Sequence, residues 1–159
     1  MNEVDDRPRG GHPRSTAKIA DHPIHPMLIP FPIVCFVGAF VTDIMYTANH
    51  EQGWATASNW LLGVGLVMAA LAAVAGLTDY FGDERVRRLS DALKHMIANV
   101  AAVVIEAANL LLRLDNRDFI DSAGVYLSGL VVLLLIYSGW KGGDLVYRHG
   151  VGVHDTSNL

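Results

Sequence analysis

Long stretches without a charged side chain constrain this chain more than any other feature. No Asp, Glu, Lys or Arg occurs at positions 22–42, 52–78 or 123–140. A bilayer core about 30 Å thick is crossed by roughly 20 residues of helix, so each stretch is long enough to be part of a membrane span. Hydrophobic residues make up 52% of the 159 residues and the mean hydropathy is +0.31, which disfavours a soluble enzyme. We therefore predict an all-α integral membrane protein.

The apolar pattern divides the chain into four helices joined by short loops. The predicted spans are 27–48, 57–80, 89–114 and 122–147, and they form a transmembrane domain over 22–153 between polar tails at 1–21 and 154–159. In the second span Gly65, Ala69 and Ala73 recur every four residues, a pattern that lets helices pack closely in lipid. The sequence therefore predicts a four-transmembrane-helix bundle.

The placement of basic residues predicts the orientation of this bundle, because cytoplasmic flanks carry the excess of Lys and Arg. With four spans, both tails and the second loop lie on one side. That side holds ten basic residues: Arg7, Arg9, Arg14, Lys18, Arg85, Arg87, Arg88, Lys94, Lys141 and Arg148. The other side holds Arg113 and Arg117. We therefore expect both termini in the cytoplasm.

Several function classes are disfavoured by composition and motifs. A net charge of −4 and a pI near 5.9 argue against a nucleic-acid partner, which would require a basic face. The single cysteine, Cys35, excludes an internal disulfide and a cysteine-based metal cluster. The sequence contains no HExxH motif, phosphate loop or nucleophile elbow, so it favours a protein that is not an autonomous enzyme.

Histidines and aspartates from distant parts of the sequence are expected at the cytoplasmic end of the bundle. They are His22, His25, Asp79, His95, Asp144 and His149. Neutral imidazoles bind zinc, copper and iron, and two histidines on different helices can bind haem from both faces. His95 is the best-placed ligand because it projects from a span, with Asn99 beside it and His25 or His149 opposite. The absence of a CxxCH motif means that such a haem is b-type and non-covalent.

Two other interpretations of these residues remain open. The four histidines, with Asp79 or Asp144, could form a non-haem metal site, or they could be interfacial residues that bind nothing. Aromatic residues near the same level either wall a flat cofactor or simply lie at the membrane interface. They are Phe31, Tyr80, Phe81, Trp140 and Tyr147.

Polar residues also line one face of the third span, because their spacings of 4, 7, 3 and 4 match the helical repeat. They are His95, Asn99, Glu106, Asn109 and Arg113. Near the far end of this stripe we expect Asp43 of the first span and Asn59 of the second. Either Arg113 neutralises a buried carboxylate there, or a carboxyl group exchanges protons or contacts a quinone headgroup.

Four separated motifs resemble those of an uncharacterised bacterial integral-membrane family, domain-of-unknown-function family 2231. The motifs are HPIHPMLIPFPI at 22–33, GLTDY at 76–80, RxxSDALKHMxxN at 87–99 and SGWKGGDLVYRHGVGV at 138–153. The resemblance implies a four-span fold in the bacterial inner membrane. It also implies a redox neighbourhood, since relatives are fused to or encoded beside Rieske-type, cytochrome c and quinoprotein-dehydrogenase modules.

The leading hypothesis is therefore an electron-transfer subunit that binds b-type haem or interacts with quinone through the histidine cluster. The alternatives are a histidine/carboxylate protein for a non-haem metal ion, and a structural or assembly subunit of a larger membrane complex without its own cofactor. The expected partners are the lipid bilayer, redox proteins, and further copies or other subunits of a complex.

Overall fold

Four long helices dominate the computed structural model, which describes residues 13, 15–20, 22–116 and 118–153. The elements found there are β1 (Lys18–Ile19), β2 (His22–Pro23), α1 (Ile24–Leu28), α2 (Pro30–Asn49), α3 (Gln52–Gly82), α4 (Glu84–Arg87), α5 (Ser90–Asp115), a π-helical turn (Ile120–Gly124) and α6 (Val125–Tyr147). The predicted tail at 154–159, Arg117, and all of the predicted tail at 1–21 except residues 13 and 15–20 lie outside the described residues.

The prediction of a four-helix membrane protein is confirmed. Four segments of the described chain are long and apolar enough to cross a membrane: Ile24–Asn49, Gln52–Gly82, Ser90–Asp115 and Ile120–Tyr147. Their outward faces carry exposed apolar side chains, for example Val67 and Val74 on α3 and Leu133 on α6. An apolar surface of this extent matches contact with lipid.

The proline-rich segment at 22–33 starts the first span as two helices that meet at Ile29. Pro30 occupies the first turn of α2, where its missing N–H costs no hydrogen bond because that turn has no intrahelical acceptor. The short helix α1 precedes it and carries His25. His25 therefore lies on a short helix of its own, before the main helix of the first span.

Small residues allow α2 and α3 to pack closely in the core. A Cβ atom at Gly65 would lie 2.7 Å from the Phe36 ring and 2.9 Å from Cys35 Cβ. Ala69 is also buried, but Ala73 is exposed and Ala72 faces the core instead. The predicted small-residue pattern thus holds at Gly65 and Ala69 and shifts by one residue beyond them.

We expect Gly65→Ala to lower stability, because its new methyl group would overpack the α2–α3 contact. Overpacking of a filled core typically costs about 1–3 kcal/mol. Gly63→Ala is the matched control, since no packing atom of the described residues lies within 4 Å of a Cβ there; it should be neutral or stabilise the helix by up to about 1 kcal/mol. Thermal unfolding of both variants in one detergent, followed by circular dichroism, measures the difference. Equal midpoints would contradict close packing at Gly65.

Both ends of the described chain meet at the end of the bundle that holds the α3–α5 connection. Asp79 Oδ1 accepts hydrogen bonds from the backbone N–H groups of Thr16 and Ala17, each at 2.7 Å. The Gly152 N–H donates to the Pro13 carbonyl oxygen at 2.9 Å. We call this the histidine end, because His25 and His95 lie there.

Candidate functional site

Two histidines face each other at the histidine end. The rings of His25, on α1, and His95, on α5, have centroids 6.1 Å apart and planes at 88°. Both side chains are half-buried. The bundle thus brings together two imidazoles that are 70 positions apart in the sequence.

Backbone carbonyls orient both rings in the same way. His25 Nδ1 lies 2.8 Å from the Ala72 carbonyl oxygen, and His95 Nδ1 lies 2.9 Å from that of Ser138. Because a carbonyl oxygen only accepts, each Nδ1 carries a hydrogen, and in a neutral imidazole the lone pair is then on Nε2. The Asn99 amide nitrogen lies 3.1 Å from His95 Nε2, which agrees with this assignment. The same nitrogen lies 2.7 Å from Ser138 Oγ.

Two glycines let neighbouring helices touch these rings. A Cβ atom at Gly76 of α3 would lie 3.0 Å from the His25 ring, and one at Gly142 of α6 would lie 3.2 Å from the His95 ring. Both glycines fall in segments that the sequence analysis noted, but nothing in the sequence indicates which ring each one contacts.

His22 and His149 lie apart from this pair. His22 is exposed, with Nδ1 2.7 Å from the Ala20 carbonyl oxygen. His149 Nε2 lies 3.2 Å from Asp91 Oδ2. The four histidines therefore lie at one end of the bundle but do not share one point.

The carboxylates proposed as metal ligands have other partners. Asp79 binds the N-terminal segment, as described above, and Asp144 lies 3.0 Å from Lys141 Nζ. Lys141 Nζ also lies 3.0 Å from Asp91 Oδ1. Lys141 of α6 thus forms two ion pairs, and the one with Asp91 links α6 to α5. Within the described residues, no group of three or more His, Cys, Asp or Glu is placed to hold a metal ion. The predicted six-residue metal set is thus not assembled there.

The aromatic residues near this level do not wall the histidine pair. Four of them are exposed, Phe31 by 55%, Phe81 by 62%, Trp140 by 74% and Tyr147 by 90%. Aromatic side chains in this position are typical of membrane interfaces. The exposure of these four agrees with the interfacial interpretation, whereas Tyr80 is half-buried.

A second polar site, fully buried, lies at the opposite end of the bundle. We call it the Arg113 cluster; its members are Asp43, Ser58, Glu106, Asn109, Arg113 and Ser128, and each is 0% exposed. Arg113 binds both carboxylate oxygens of Asp43, at 2.8 and 3.0 Å. Ser58 and Ser128 each donate a hydrogen bond to Asp43 as well. The structure thus pairs Arg113 with Asp43 across α2 and α5.

The rest of the cluster is built around Asn109. Its amide oxygen accepts from Arg113 Nη2 at 2.7 Å, and its amide nitrogen donates to Glu106 Oε2 at 2.8 Å. The second carboxyl oxygen of Glu106, Oε1, is buried and has no hydrogen-bond partner among the described residues.

Asn59 does not take the place that the sequence analysis expected. Ser58, its neighbour on α3, enters the cluster instead. Asn59 lines an open groove of about 370 Å³ between α3 and α5, together with Trp60 and Leu110. Its amide oxygen is buried without a partner in the described part of the chain.

A π-helical turn adjoins the cluster at the start of the fourth span. It covers Ile120–Gly124, and a Cβ atom at Gly124 would lie 2.9 Å from Arg113 Nη2. The Gly124 carbonyl oxygen also accepts from Asn109 at 3.3 Å. π-helical turns often occur at functional sites, and here the turn lets the backbone approach the buried guanidinium.

A protein-family model described as "Predicted membrane protein (DUF2231)" matches residues 21–155. No curated protein matches the chain, and no solved structure matches it either.

Proposed function

The chain belongs to the DUF2231 family of predicted membrane proteins, and we propose that it is an electron-transfer subunit of the bacterial inner membrane that holds one b-type haem between His25 and His95. The observation that carries this proposal is the convergence of the two rings, 6.1 Å between centroids. Bonds between a metal ion and an imidazole nitrogen are about 2 Å long, so two histidines on opposite sides of one ion have ring centres about 6 Å apart.

The orientation of the rings supports the same role. Histidines that bind metals usually donate their other ring N–H to a carbonyl or carboxylate, which fixes the tautomer and the ring direction. Ala72 and Ser138 supply such carbonyls to His25 and His95. Asn99 keeps Ser138 Oγ as a partner if His95 Nε2 binds a metal ion.

The number of ligands favours haem over a non-haem ion. Structural zinc sites use four protein ligands and catalytic ones use three, whereas a haem iron needs at most two axial ligands from the protein. His25 and His95 supply two such ligands, and Gly76 and Gly142 add no side chain of their own beside the rings. When bound, a b-type haem would supply reversible one-electron transfer.

The orientation of the protein in the membrane and its partners are proposed from the sequence. The excess of basic residues on one side supports cytoplasmic termini and a histidine pair near the cytoplasmic face. Redox proteins are the partner class that the family resemblance implies, and quinone in the bilayer is proposed as a second partner.

The test is an absorption spectrum of the full-length protein, purified in detergent from its native host, before and after reduction with dithionite. We expect a Soret band and α and β bands that sharpen on reduction. A featureless spectrum from folded protein would refute the haem proposal. Metal analysis of the same sample then separates a colourless metal protein from a structural subunit without a cofactor.

A further inference from the structure

The formal charges of the Arg113 cluster do not balance. Two carboxyl groups, Asp43 and Glu106, share one guanidinium, and every member of the cluster is 0% exposed. The groups that reach the cluster from α3 and α6 are the hydroxyls of Ser58 and Ser128. If both carboxyls were ionised, the cluster would carry one uncompensated negative charge inside the membrane, where such a charge costs several kcal/mol.

The hydrogen bonds decide which carboxyl is compensated. A guanidinium has five N–H donors, and those of Arg113 are directed to Asp43, Ser58 and Asn109. Asp43 receives two of them in addition to the two serine hydroxyls, so it has the partners of a carboxylate ion.

Glu106 lacks the partners that a carboxylate ion requires. Its Oε2 accepts one N–H from Asn109 at 2.8 Å, and its Oε1 has no partner among the described residues. A proton on this carboxyl group removes the excess charge without requiring another cation. We propose that Glu106 is a proton-binding site inside the membrane and that its proton exchanges with the medium.

An open groove lies beside the part of α5 that follows Glu106. Leu110 lines the groove between α3 and α5 and lies four residues beyond Glu106, about 6 Å along the helix axis. Asn59 places a buried, unpartnered amide oxygen in the wall of the same groove. Water or another proton carrier that enters the groove would therefore meet a hydrogen-bond acceptor, in a groove whose wall includes a residue four positions from Glu106 on α5.

Infrared spectroscopy of the full-length protein in lipid vesicles tests the proposal, because a protonated carboxyl group has a carbonyl stretch distinct from that of a carboxylate. We expect this band in the wild type at neutral pH and its loss in Glu106→Gln. Glu51→Gln is the matched control, since Glu51 is exposed in the α2–α3 loop, and it should leave the band unchanged. In heavy water the band should shift as the proton exchanges.

Several outcomes would overturn the proposal. A wild type without the band refutes proton binding, and a band that survives in Glu106→Gln assigns the proton to another group. A band that never shifts in heavy water refutes exchange. Glutamine resembles a protonated glutamic acid in shape and charge, so the thermal midpoint of Glu106→Gln should equal or exceed that of the wild type. If that variant does not fold, Glu106→Asp should shift the band, and an unshifted band in Glu106→Asp again assigns the proton elsewhere.

Discussion

His25→Ala and His95→Ala are each expected to remove bound haem almost completely, whereas His22→Ala and His149→Ala should retain it. The expectation rests on the proposed function and on the positions of the four rings. The ring centroids of His25 and His95 lie 6.1 Å apart, but His22 is exposed and His149 is paired with Asp91. The haem content per protein, measured by the pyridine haemochrome assay, gives the comparison.

The two control variants matter because all four histidines lie at the same end of the bundle. If haem were bound merely at an exposed, histidine-rich surface, all four variants would lose part of it. Equal loss of a colourless metal from all four would instead favour the non-haem metal hypothesis. Four folded variants with no lost ligand would leave only the structural or assembly role.

Asn99→Ala, compared with His95→Ala, separates a haem ligand from a structural histidine. Asn99 lies 3.1 Å from His95 Nε2, the nitrogen that we propose as the ligand atom. If His95 binds iron, this contact is dispensable and Asn99→Ala should keep its haem. If His95 only braces α5 against α6, Asn99→Ala and His95→Ala should lower the thermal midpoint alike and leave the spectrum unchanged.

The four spans could be predicted from the sequence because each depends on a local property, a run of apolar residues long enough to cross the bilayer. The third predicted span, 89–114, differs from α5 by one residue at each end. The Asp43–Arg113 pair was one of two stated alternatives, since a charge inside the membrane requires a partner. These inferences need no knowledge of how the helices rotate about their axes.

The lateral positions of side chains could not be predicted in this way. Topology assigned His22, His25, His95 and His149 to one depth, but which rings meet depends on helix rotation and on the path of the tails. Asn59 illustrates how strongly a side chain's position depends on helix rotation. One residue corresponds to about 100° of helical rotation, and this is enough to put Ser58 in the cluster and Asn59 in the groove.

Two further features could not be predicted from the sequence: the partners of Asp79, and the π-helical turn. Asp79 binds the segment around Thr16, more than 60 residues earlier in the chain, and no spacing rule relates the two. The turn at Ile120–Gly124 inserts one residue into the helical repeat without changing hydropathy. The sequence signal for it is limited to a glycine, Gly124, two residues after the polar Ser122.

Asp43→Asn is expected to destabilise the protein by about 3–5 kcal/mol, because removing one partner of a buried ion pair leaves the other charge uncompensated. Arg113 is 0% exposed and binds both oxygens of Asp43, so neither water nor the side chain itself can relieve the loss. Asparagine has nearly the same shape as aspartate, which limits the change to charge and hydrogen bonding. Unfolding in mixed detergent micelles measures the difference in free energy. Asp115→Asn, at the exposed end of α5, is the control and should be near neutral.

Two further variants show what the pair contributes. Asp43→Leu combined with Arg113→Met removes both charges, and such replacements are often neutral or stabilising. We therefore expect the double variant to recover most of the stability that Asp43→Asn loses.

If Asp43→Asn unfolds at the same midpoint as the wild type, Asp43 is not the counterion of Arg113. Since Glu106 is the other carboxyl in the cluster, a large loss in Glu106→Gln with none in Asp43→Asn would reverse the assignment of ion and acid. The opposite result establishes that one buried carboxyl balances Arg113 and leaves the other without a counterion in the cluster.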